Sequence, residues 1–331
     1  MSKKYRVAAA ALVLVALLAG GGLWLASGYM LSYSLCPVRD RYDARGAMER
    51  NAREYPWQKD WLDSLRDHHG LHDLGTFSPV SGTPLHAVYL PAPSPTRRTA
   101  LLVHGYGCCS LDMLHIAYIY HHLLGMNVLM PDLYGHGQSG GDHVNMGWLD
   151  RLDVLRWSAV ADSLFGGGTR MVLHGISMGA ATVMMLSGER TPSCICAYVE
   201  DCGYTGVWDE FAGELRARFR LPAFPLMHTT SWLCLQRYGW SFREASSLGQ
   251  VARCPLPMLF IHGGEDTFVP TGMVYRLYAA KPRPKRIWVS EGSGHARSYA
   301  DNPGEYTRRV ASFVSEYVPQ DRPADTLGHE Q

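Results

Sequence analysis

The feature that most constrains the fold of this chain is a regular alternation of short apolar runs and longer helical segments after about residue 85. Short runs rich in β-branched and large apolar side chains are typical of strands. Strands are predicted at residues 85–90, 100–103, 128–130, 171–173, 197–199, 258–261 and 287–289, and helices at 148–165, 180–187 and 305–317. This alternation indicates a mostly parallel sheet with helices on both faces, in which the loops that follow the strands meet at one edge.

The N-terminal segment differs in composition from the rest of the chain. Lys3, Lys4 and Arg6 precede an apolar run over residues 7–26 that is interrupted only by three consecutive glycines. About 20 helical residues cross the hydrocarbon core of a bilayer. A cleaved signal peptide usually has a shorter apolar region of roughly 7–15 residues. The sequence therefore favours an uncleaved membrane anchor over residues 1–27, with a cleaved export signal as the alternative.

Basic residues around the apolar run bear on its orientation. The positive charges before the run predict a cytoplasmic N-terminus and a folded domain outside the cytoplasm, periplasmic or secreted if the segment is cleaved. Arg39, Arg41 and Arg45 on the other side weaken this prediction. The eight cysteines fit an exported domain with disulfides and fit buried thiols equally well, and they set no connectivity.

The remaining chain divides into two parts. Residues 28–80 are predicted as a linker and helical arm, and residues 81–331 as the main domain. An apolar face of the arm would pack on that domain through Tyr55, Trp57, Trp61 and Leu65. His68, His69, His72 and Asp73 lack the spacing of a helical ligand pair, so a solvated loop is expected there rather than a metal site.

The strongest local signal is the sequence Gly-Ile-Ser-Met-Gly at residues 175–179, which follows a predicted strand and precedes a helical run. A serine hydroxyl is a poor nucleophile unless it is exposed and next to a base, and a sharp strand-to-helix turn presents it above a sheet. Gly175 and Gly179 permit that turn without a Cβ clash. The motif predicts a nucleophile elbow with Ser177 as the nucleophile.

A second turn, His-Gly-Tyr-Gly at residues 104–107, directly follows an earlier predicted strand. Together the two turns resemble those of the α/β-hydrolase superfamily, and the resemblance extends over about residues 80–318. It is similar in particular to bacterial membrane-anchored esterase-like or lipase-like members and to serine-aminopeptidase-like members. The resemblance implies an oxyanion hole made by the backbone N–H groups of Tyr106 and Met178. His104 is expected to brace the turn rather than to act in catalysis.

The partners of the nucleophile are expected after it, in the order acid and then histidine. Asp266 follows the strand predicted at 258–261, and His295 lies in a glycine-rich loop after the last predicted strand. A carboxylate at a strand end can accept a histidine N–H and fix the tautomer of the ring. The sequence therefore predicts a triad of Ser177, Asp266 and His295.

Four other polar residues compete for catalytic roles. Asp201 follows the strand predicted at 197–199 and is an alternative acid, although Asp266 is preferred. Glu265 is adjacent to Asp266 but is expected to point elsewhere. Asp132 and His136 lie in a loop that resembles one shaping the pocket floor of the superfamily, so a structural role is expected for both.

A serine at the elbow implies an acyl-serine intermediate, whereas dehalogenases and epoxide hydrolases of this fold carry aspartate there. Cleavage of a carboxylic ester is predicted, and a lipid-like ester is suggested by the membrane segment. A peptidase, a thioesterase and an acyltransferase remain alternatives, as does an inactive membrane-tethered binding module. No cofactor or metal is required. With 31 basic and 30 acidic residues, the chain has no overall charge that would attract nucleic acid.

Residues 204–250 separate two predicted strands and are rich in large apolar side chains. The most prominent are Trp208, Phe211, Phe219, Phe224, Met227, Trp232 and Trp240. Such an insertion is expected to form a helical cap that encloses an apolar pocket. Packing of the cap on the core explains each aromatic residue equally well.

Overall fold

The computed structural model describes residues 3–37 and 44–320 of the chain. Within these ranges a single sheet contains β1 (His72–Phe77), β2 (Pro84–Leu90), β3 (Arg98–Val103), β4 (Asn127–Pro131), β5 (Arg170–Ile176), β6 (Ile195–Asp201), β7 (Met258–Gly263) and β8 (Lys285–Ser290). Their order is β1-β2-β4-β3-β5-β6-β7-β8. β2 is antiparallel to both neighbours, and every pairing from β4 across to β8 is parallel. The prediction of a mostly parallel sheet is confirmed.

Helices connect the strands and cover the sheet. They are α1 (Lys3–Ser34), α2 (Ala44–Glu54), α3 (Lys59–Asp67), α4 (Leu114–Ala117), α5 (Asp150–Leu164), α6 (Met178–Ser187), α7 (Val207–Phe219), α8 (Leu226–Tyr238), α9 (Ser247–Val251), α10 (Gly272–Ala280), α11 (Ser298–Asp301) and α12 (Pro303–Tyr317). A π-helical turn at Tyr118–Leu123 extends α4. α7, α8 and α9 all lie between β6 and β7, in the segment where a helical cap is expected.

The core lies on both faces of the sheet because consecutive strand residues point to opposite sides. In β3, Leu101 and Val103 belong to one apolar cluster with α5 to α10, whereas Ala100 and Leu102 belong to a second cluster with α2, α3, α4 and α12. All four side chains are fully buried. This two-sided burial explains why the central strands read as continuous apolar runs.

Residues 28–80, predicted as a linker and helical arm, differ from that prediction at both ends. α1 does not end at residue 27 but continues to Ser34, and β1 occupies residues that were expected to be a solvated loop. His72 and Asp73 belong to this edge strand, and Asp73 Oδ1 lies 2.9 Å from His86 Nε2 of β2. Backbone pairing with β2 creates the strand, since its own side chains are mostly exposed. α2 and α3 form the expected helices.

α1 is long and apolar enough to span a membrane, and its most apolar stretch is not buried against the rest of the chain. A signal sequence has the same properties. Of the basic residues that bear on orientation, Arg39 and Arg41 lie outside the described residues. The helix is therefore a candidate transmembrane span.

Candidate active site

Ser177 sits at the turn between β5 and α6 in a conformation that few non-glycine residues adopt. Its φ is 56° and its ψ is −116°. A Cβ on Gly175 would lie 2.1 Å from the carbonyl oxygen of Gly179, and a Cβ on Gly179 would lie 2.0 Å from that of Val103. Neither contact is possible for an alanine, so the close approach of β5, α6 and β3 requires both glycines. The strained turn raises the hydroxyl above the sheet edge.

The structure brings the three predicted triad side chains together. Ser177 Oγ lies 2.8 Å from His295 Nε2, and His295 Nδ1 lies 2.7 Å from Asp266 Oδ2. Ser177 follows β5, Asp266 follows β7 and His295 follows β8. Parallel strands place these loops at one edge of the sheet, although the residues are far apart in the chain.

The surroundings of Asp266 keep its carboxyl group ionised. Burial works to raise its pKa, but hydrogen bonds from His262 and His295 outweigh burial and lower the pKa to about 2. The backbone N–H groups of Phe268 and Val269 also donate to Oδ1, at 3.0 and 2.9 Å. An ionised carboxylate only accepts hydrogen bonds, so Nδ1 of His295 carries the proton. Its Nε2 then has a lone pair that accepts the hydroxyl hydrogen of Ser177.

The loop after β7, which contains Asp266, and the loop after β8, which contains His295, are joined by backbone contacts. A Cβ on Gly263 would lie 2.4 Å from the carbonyl oxygens of both Ser293 and Gly294. The N–H of Glu265 donates to the Ser293 carbonyl at 2.9 Å, and that of Gly264 donates to the Ser290 carbonyl at 2.8 Å. These backbone contacts hold the loop of His295 next to the loop of Asp266.

The two residues expected to form an oxyanion hole border the same cavity as Ser177. Tyr106 and Met178 line this pocket, and Met178 is the first residue of α6. A Cβ on Gly105 would lie 3.4 Å from the Ser177 Cβ, so the two turns pack closely. The N–H of a first helical residue has no intrahelical acceptor. The N–H groups of Tyr106 and Met178 thus both belong to turns that lie next to Ser177.

His104 braces this arrangement, as expected. Its Nε2 accepts the N–H of Leu133 at 3.0 Å, and its Nδ1 donates to the carbonyl of Gly105 at 2.8 Å. Burial lowers the pKa of His104. The neutral ring therefore links the turn after β3 to the loop after β4, and it has no contact with Ser177 among its hydrogen bonds.

The competing polar residues occupy structural positions. Asp201 Oδ2 accepts the hydroxyl of Tyr306 at 2.9 Å rather than a His295 nitrogen, and burial raises its pKa to about 6. Asp132 accepts the N–H groups of Ser110 and Gln138 at 2.6 and 2.9 Å, which pins its loop.

The side chains of the two further candidates, His136 and Glu265, do not take part in the triad contacts. His136 Nδ1 donates to the carbonyl of Tyr134 at 3.0 Å, and burial lowers the pKa of its ring to about 3. Glu265 is exposed. Asp266 is therefore the only carboxylate of those considered from the sequence that contacts His295.

The cavity above Ser177 has a volume of about 320 Å³ and is mostly apolar. Residues of the cap line one side, namely Glu210, Phe211, Glu214, Leu215, Arg218, Phe219, Leu226, Met227, Thr230 and Phe242. The size falls at the low end of the roughly 300–1,000 Å³ typical of small-molecule sites. The pocket suits an apolar group next to a reacting carbonyl.

One wall of this pocket is not predicted from the sequence. Met30, Tyr33 and Ser34, in the last turns of α1, line it together with Ser177. The apolar run of α1 indicates a membrane segment, and no pattern within it marks the residues that turn toward another part of the chain. The sequence likewise does not predict the place of Glu210, a buried acid in the pocket whose Oε2 has no hydrogen-bond partner among the described residues.

The described residues contain one group of potential metal ligands, Cys202, Asp266 and His295. Asp266 and His295 are already hydrogen-bonded to each other. Burial raises the pKa of the Cys202 thiol well above its ordinary value, so the thiol keeps its proton. This set fits a serine-histidine-acid arrangement better than a metal site.

Comparisons with known proteins agree with this architecture. Residues 100–309 match the model of the alpha/beta hydrolase family. The uncharacterised protein YqkD of Bacillus subtilis is 31% identical over 226 residues, which cover 68% of this chain and 74% of YqkD. The uncharacterised protein YfhR of Escherichia coli K12 is 23% identical over 248 residues, covering 72% of this chain and 78% of YfhR.

Solved structures share the fold at lower identity. The esterase Pf2001 of Pyrococcus furiosus superposes with a TM-score of 0.62 at 21% identity, covering 77% of this chain and 96% of that one. A puromycin-hydrolysing peptidase of Mycobacterium tuberculosis gives a TM-score of 0.57 at 18% identity, covering 76% of this chain and 40% of the peptidase. At these identities the likeness is one of fold.

Proposed function

This chain is a member of the alpha/beta hydrolase family, and from that premise we propose that it is a serine hydrolase that cleaves carboxylic esters through an acyl-serine intermediate. One observation carries the proposal. The Ser177 hydroxyl lies 2.8 Å from the His295 imidazole, which in turn lies 2.7 Å from the Asp266 carboxylate. These are the contacts that a nucleophile, its base and an orienting acid must make.

In this mechanism Ser177 Oγ attacks the ester carbonyl while His295 Nε2 takes its proton. The Asp266 carboxylate holds the Nδ1–H and stabilises the imidazolium that forms. The tetrahedral oxyanion accepts hydrogen bonds from the N–H groups of Tyr106 and Met178. His295 then protonates the leaving alcohol. In the second half of the reaction His295 takes a proton from water, the water attacks the acyl-serine carbonyl, and His295 returns the proton to Ser177 Oγ as the acid is released.

The pocket favours an ester with an apolar acyl group over a peptide. Its walls are mainly Met, Phe, Leu and Tyr side chains, and its two acids both lie in α7. A peptidase would need polar partners for the amides on both sides of the scissile bond. A thioesterase would use the same triad and remains the second candidate, since a thioester carbonyl fits the same pocket.

An inactive binding module is the candidate from another class. Such a module has no need for an ionised Asp266 aligned on His295 or for a strained φ of 56° at Ser177. Strain of this kind is retained where it serves a function. The geometry therefore favours an active enzyme.

Labelling with a fluorophosphonate probe tests the proposal directly. Wild-type protein should be labelled, and Ser177→Ala should not, because the probe phosphonylates an activated serine hydroxyl. His295→Ala should be labelled at least 100-fold more slowly, since the base is lost. A labelled Ser177→Ala protein, or an unlabelled wild type, would contradict the assignment. Turnover of p-nitrophenyl esters, compared with thioesters and with aminoacyl amides, then identifies the bond that is cleaved.

A further inference from the structure

The last turns of α1 belong to the folded domain as well as to the apolar helix. Ser27, Leu31 and Leu35 follow one another at intervals of four residues and are almost completely buried. The backbone carbonyl of Leu35 also accepts the N–H of Val144 at 3.0 Å. This face of α1 is therefore fixed on the domain and is not a free linker.

A neighbouring face of the same turns lines the cavity that contains Ser177. Met30, Tyr33 and Ser34 are part of its wall. The Tyr33 ring also lies 6.5 Å from Phe219, at the end of cap helix α7, in an edge-on contact. The wall of the pocket is thus built from the apolar helix and the cap together.

The length of α1 would place these residues close to a bilayer that the helix spans. At ~1.5 Å per residue, the interval from Tyr5 to Trp24 is about 28 Å, close to the ~30 Å of a hydrocarbon core. Trp and Tyr concentrate at the two membrane–water interfaces, and both side chains are exposed. Met30 is then only about 9 Å beyond Trp24 along the helix. If α1 spans a bilayer with Trp24 at its interface, the pocket therefore lies next to the headgroups.

The cap continues this apolar surface beside α1. The ring centroid of Trp232, in α8, lies 5.7 Å from that of Trp24. Phe219, Leu221, Phe224 and Trp232 are each more than two-fifths exposed. Arginines at positions 216, 218 and 220 alternate with these apolar residues around the end of α7. Exposed apolar side chains interleaved with basic ones are typical of surfaces that lie in a membrane interface.

We propose that the substrate is a long-chain acyl ester resident in the bilayer that holds α1, and that its acyl chain enters the pocket between α1 and the cap helices α7 and α8. This inference rests on the proposed serine hydrolase function and names its substrate class. The anchor is then a part of the substrate site. The ester bond of a bilayer lipid lies at the boundary between headgroups and hydrocarbon, which is the depth of Trp24 and about 9 Å from Met30 along the helix.

The test uses the full-length protein in vesicles of phosphatidylcholine and phosphatidylglycerol. It measures kcat/KM for p-nitrophenyl palmitate, which partitions into the bilayer, and for p-nitrophenyl acetate, which is soluble. Met30→Trp enlarges a side chain of the pocket wall, and Leu25→Trp makes the same change at an α1 position that is 74% exposed. Thermal unfolding of each variant checks that it is folded.

We expect the wild type to prefer palmitate, and Met30→Trp to lower the palmitate-to-acetate ratio of kcat/KM at least tenfold. Leu25→Trp should leave the ratio unchanged. A wild type that prefers acetate, or a ratio that Met30→Trp does not change, would overturn the inference while leaving the hydrolase assignment intact. Failure of the wild type to cleave either ester or to react with a fluorophosphonate would instead overturn the hydrolase assignment and the inference with it.

A second measurement does not depend on turnover. A fatty ester with a diazirine in its acyl chain, added to vesicles that contain the Ser177→Ala variant, should cross-link to the peptide that includes Met30 and Tyr33. Cross-linking restricted to residues 7–23 would show that lipid surrounds the span but does not reach the pocket, and would contradict the inference.

Discussion

At the scale of single residues, two buried aspartates near the nucleophile have opposite environments. Asp266 is kept ionised by two histidines and two backbone N–H groups. Asp201 accepts a tyrosine hydroxyl, and burial raises its pKa to about 6. Only the first therefore offers His295 a permanent negative charge. The contrast separates the preferred acid from its competitor, which the sequence alone leaves open.

Substituting each aspartate by asparagine tests this separation. Asp266→Asn should lower kcat by about 10⁴-fold, because the amide no longer fixes the correct histidine tautomer. Asp201→Asn should change kcat less than about tenfold, because an amide oxygen can still accept the Tyr306 hydroxyl. Steady-state hydrolysis of p-nitrophenyl butyrate measures both. Equal losses in the two variants, or a larger loss in Asp201→Asn, would reject Asp266 as the orienting acid.

Glu210 is a residue whose titration should affect stability. Burial raises its pKa from 4.5 to about 8. Between these values the folded state keeps a proton that the unfolded chain has lost, so this group contributes stability below pH 4.5 that is lost as the pH rises through about 8. Glu210→Gln should therefore reduce the decline in Tm between pH 5 and pH 8, measured by thermal unfolding in detergent.

Glu214 provides the matched control on the same helix. It lies one turn further along α7, is partly exposed and pairs with Arg218. Glu214→Gln should keep the pH dependence of the wild type. If Glu210→Gln keeps the wild-type decline in Tm between pH 5 and pH 8, or if both variants reduce it equally, the titration of Glu210 is not its cause.

At the scale of elements, the turn between β5 and α6 depends on backbone contact with β3. A Cβ at residue 179 would lie 2.0 Å from the carbonyl oxygen of Val103, so Gly179→Ala must move α6 or β3. A displacement of ~1 Å at the nucleophile costs about 100-fold in rate. We therefore expect Gly179→Ala to lower kcat/KM at least 100-fold and to lower Tm.

Gly213→Ala is the matched control, because a Cβ there meets no atom outside its own helix. It should raise stability by roughly 0.5–1 kcal/mol, since alanine loses less conformational entropy than glycine in a helix, and it should leave kcat/KM unchanged. Wild-type turnover in Gly179→Ala would indicate that the elbow tolerates a shift which the geometry excludes.

The elements differ in how well the sequence predicts them. The central strands are evident because both faces are buried, so that β3, for example, is apolar throughout Ala100–Val103. β1 is not evident, because Gly75, His72 and Asp73 lack strand propensity and its pairing with β2 is set by tertiary structure. The extension of α1 past residue 27 is missed for a related reason. Its packing depends on a cap that is more than 170 residues away in the sequence.

The site shows the same division between local and tertiary information. Ser177, Asp266 and His295 can be predicted because each follows a strand, and the carboxyl ends of parallel strands meet. Met30 and Tyr33 cannot, because an apolar residue facing lipid and one facing a pocket look alike in a sequence. Glu210 is missed because one acid among the polar residues of α7 gives no sign of burial.

At the scale of the whole molecule, we propose that α1 remains uncleaved and that the catalytic domain lies outside the cytoplasm. The ring centroids of Trp24, within the apolar run, and Trp232, in the cap, lie 5.7 Å apart, and this contact between the helix and the folded domain favours retention. Lys3, Lys4 and Arg6 at its start favour a cytoplasmic N-terminus.

Cys36, just beyond α1 on the domain side, is exposed and reports this orientation. A membrane-impermeant maleimide should label it in spheroplasts without permeabilisation, and Cys36→Ser should lose that labelling. Labelling only after permeabilisation would place the domain in the cytoplasm. A mature protein that begins after residue 26 would show that the helix is cleaved.

The central claim is that Ser177 forms a covalent acyl-enzyme with His295 as its base. Rapid quenching of the protein with p-nitrophenyl butyrate, followed by mass spectrometry of its peptides, tests this most directly. We predict a butyryl group on the peptide that contains Ser177, formed within one turnover and absent from both Ser177→Ala and His295→Ala. Ester turnover by the wild type with no adduct on that peptide, or undiminished turnover by Ser177→Ala, would contradict the account.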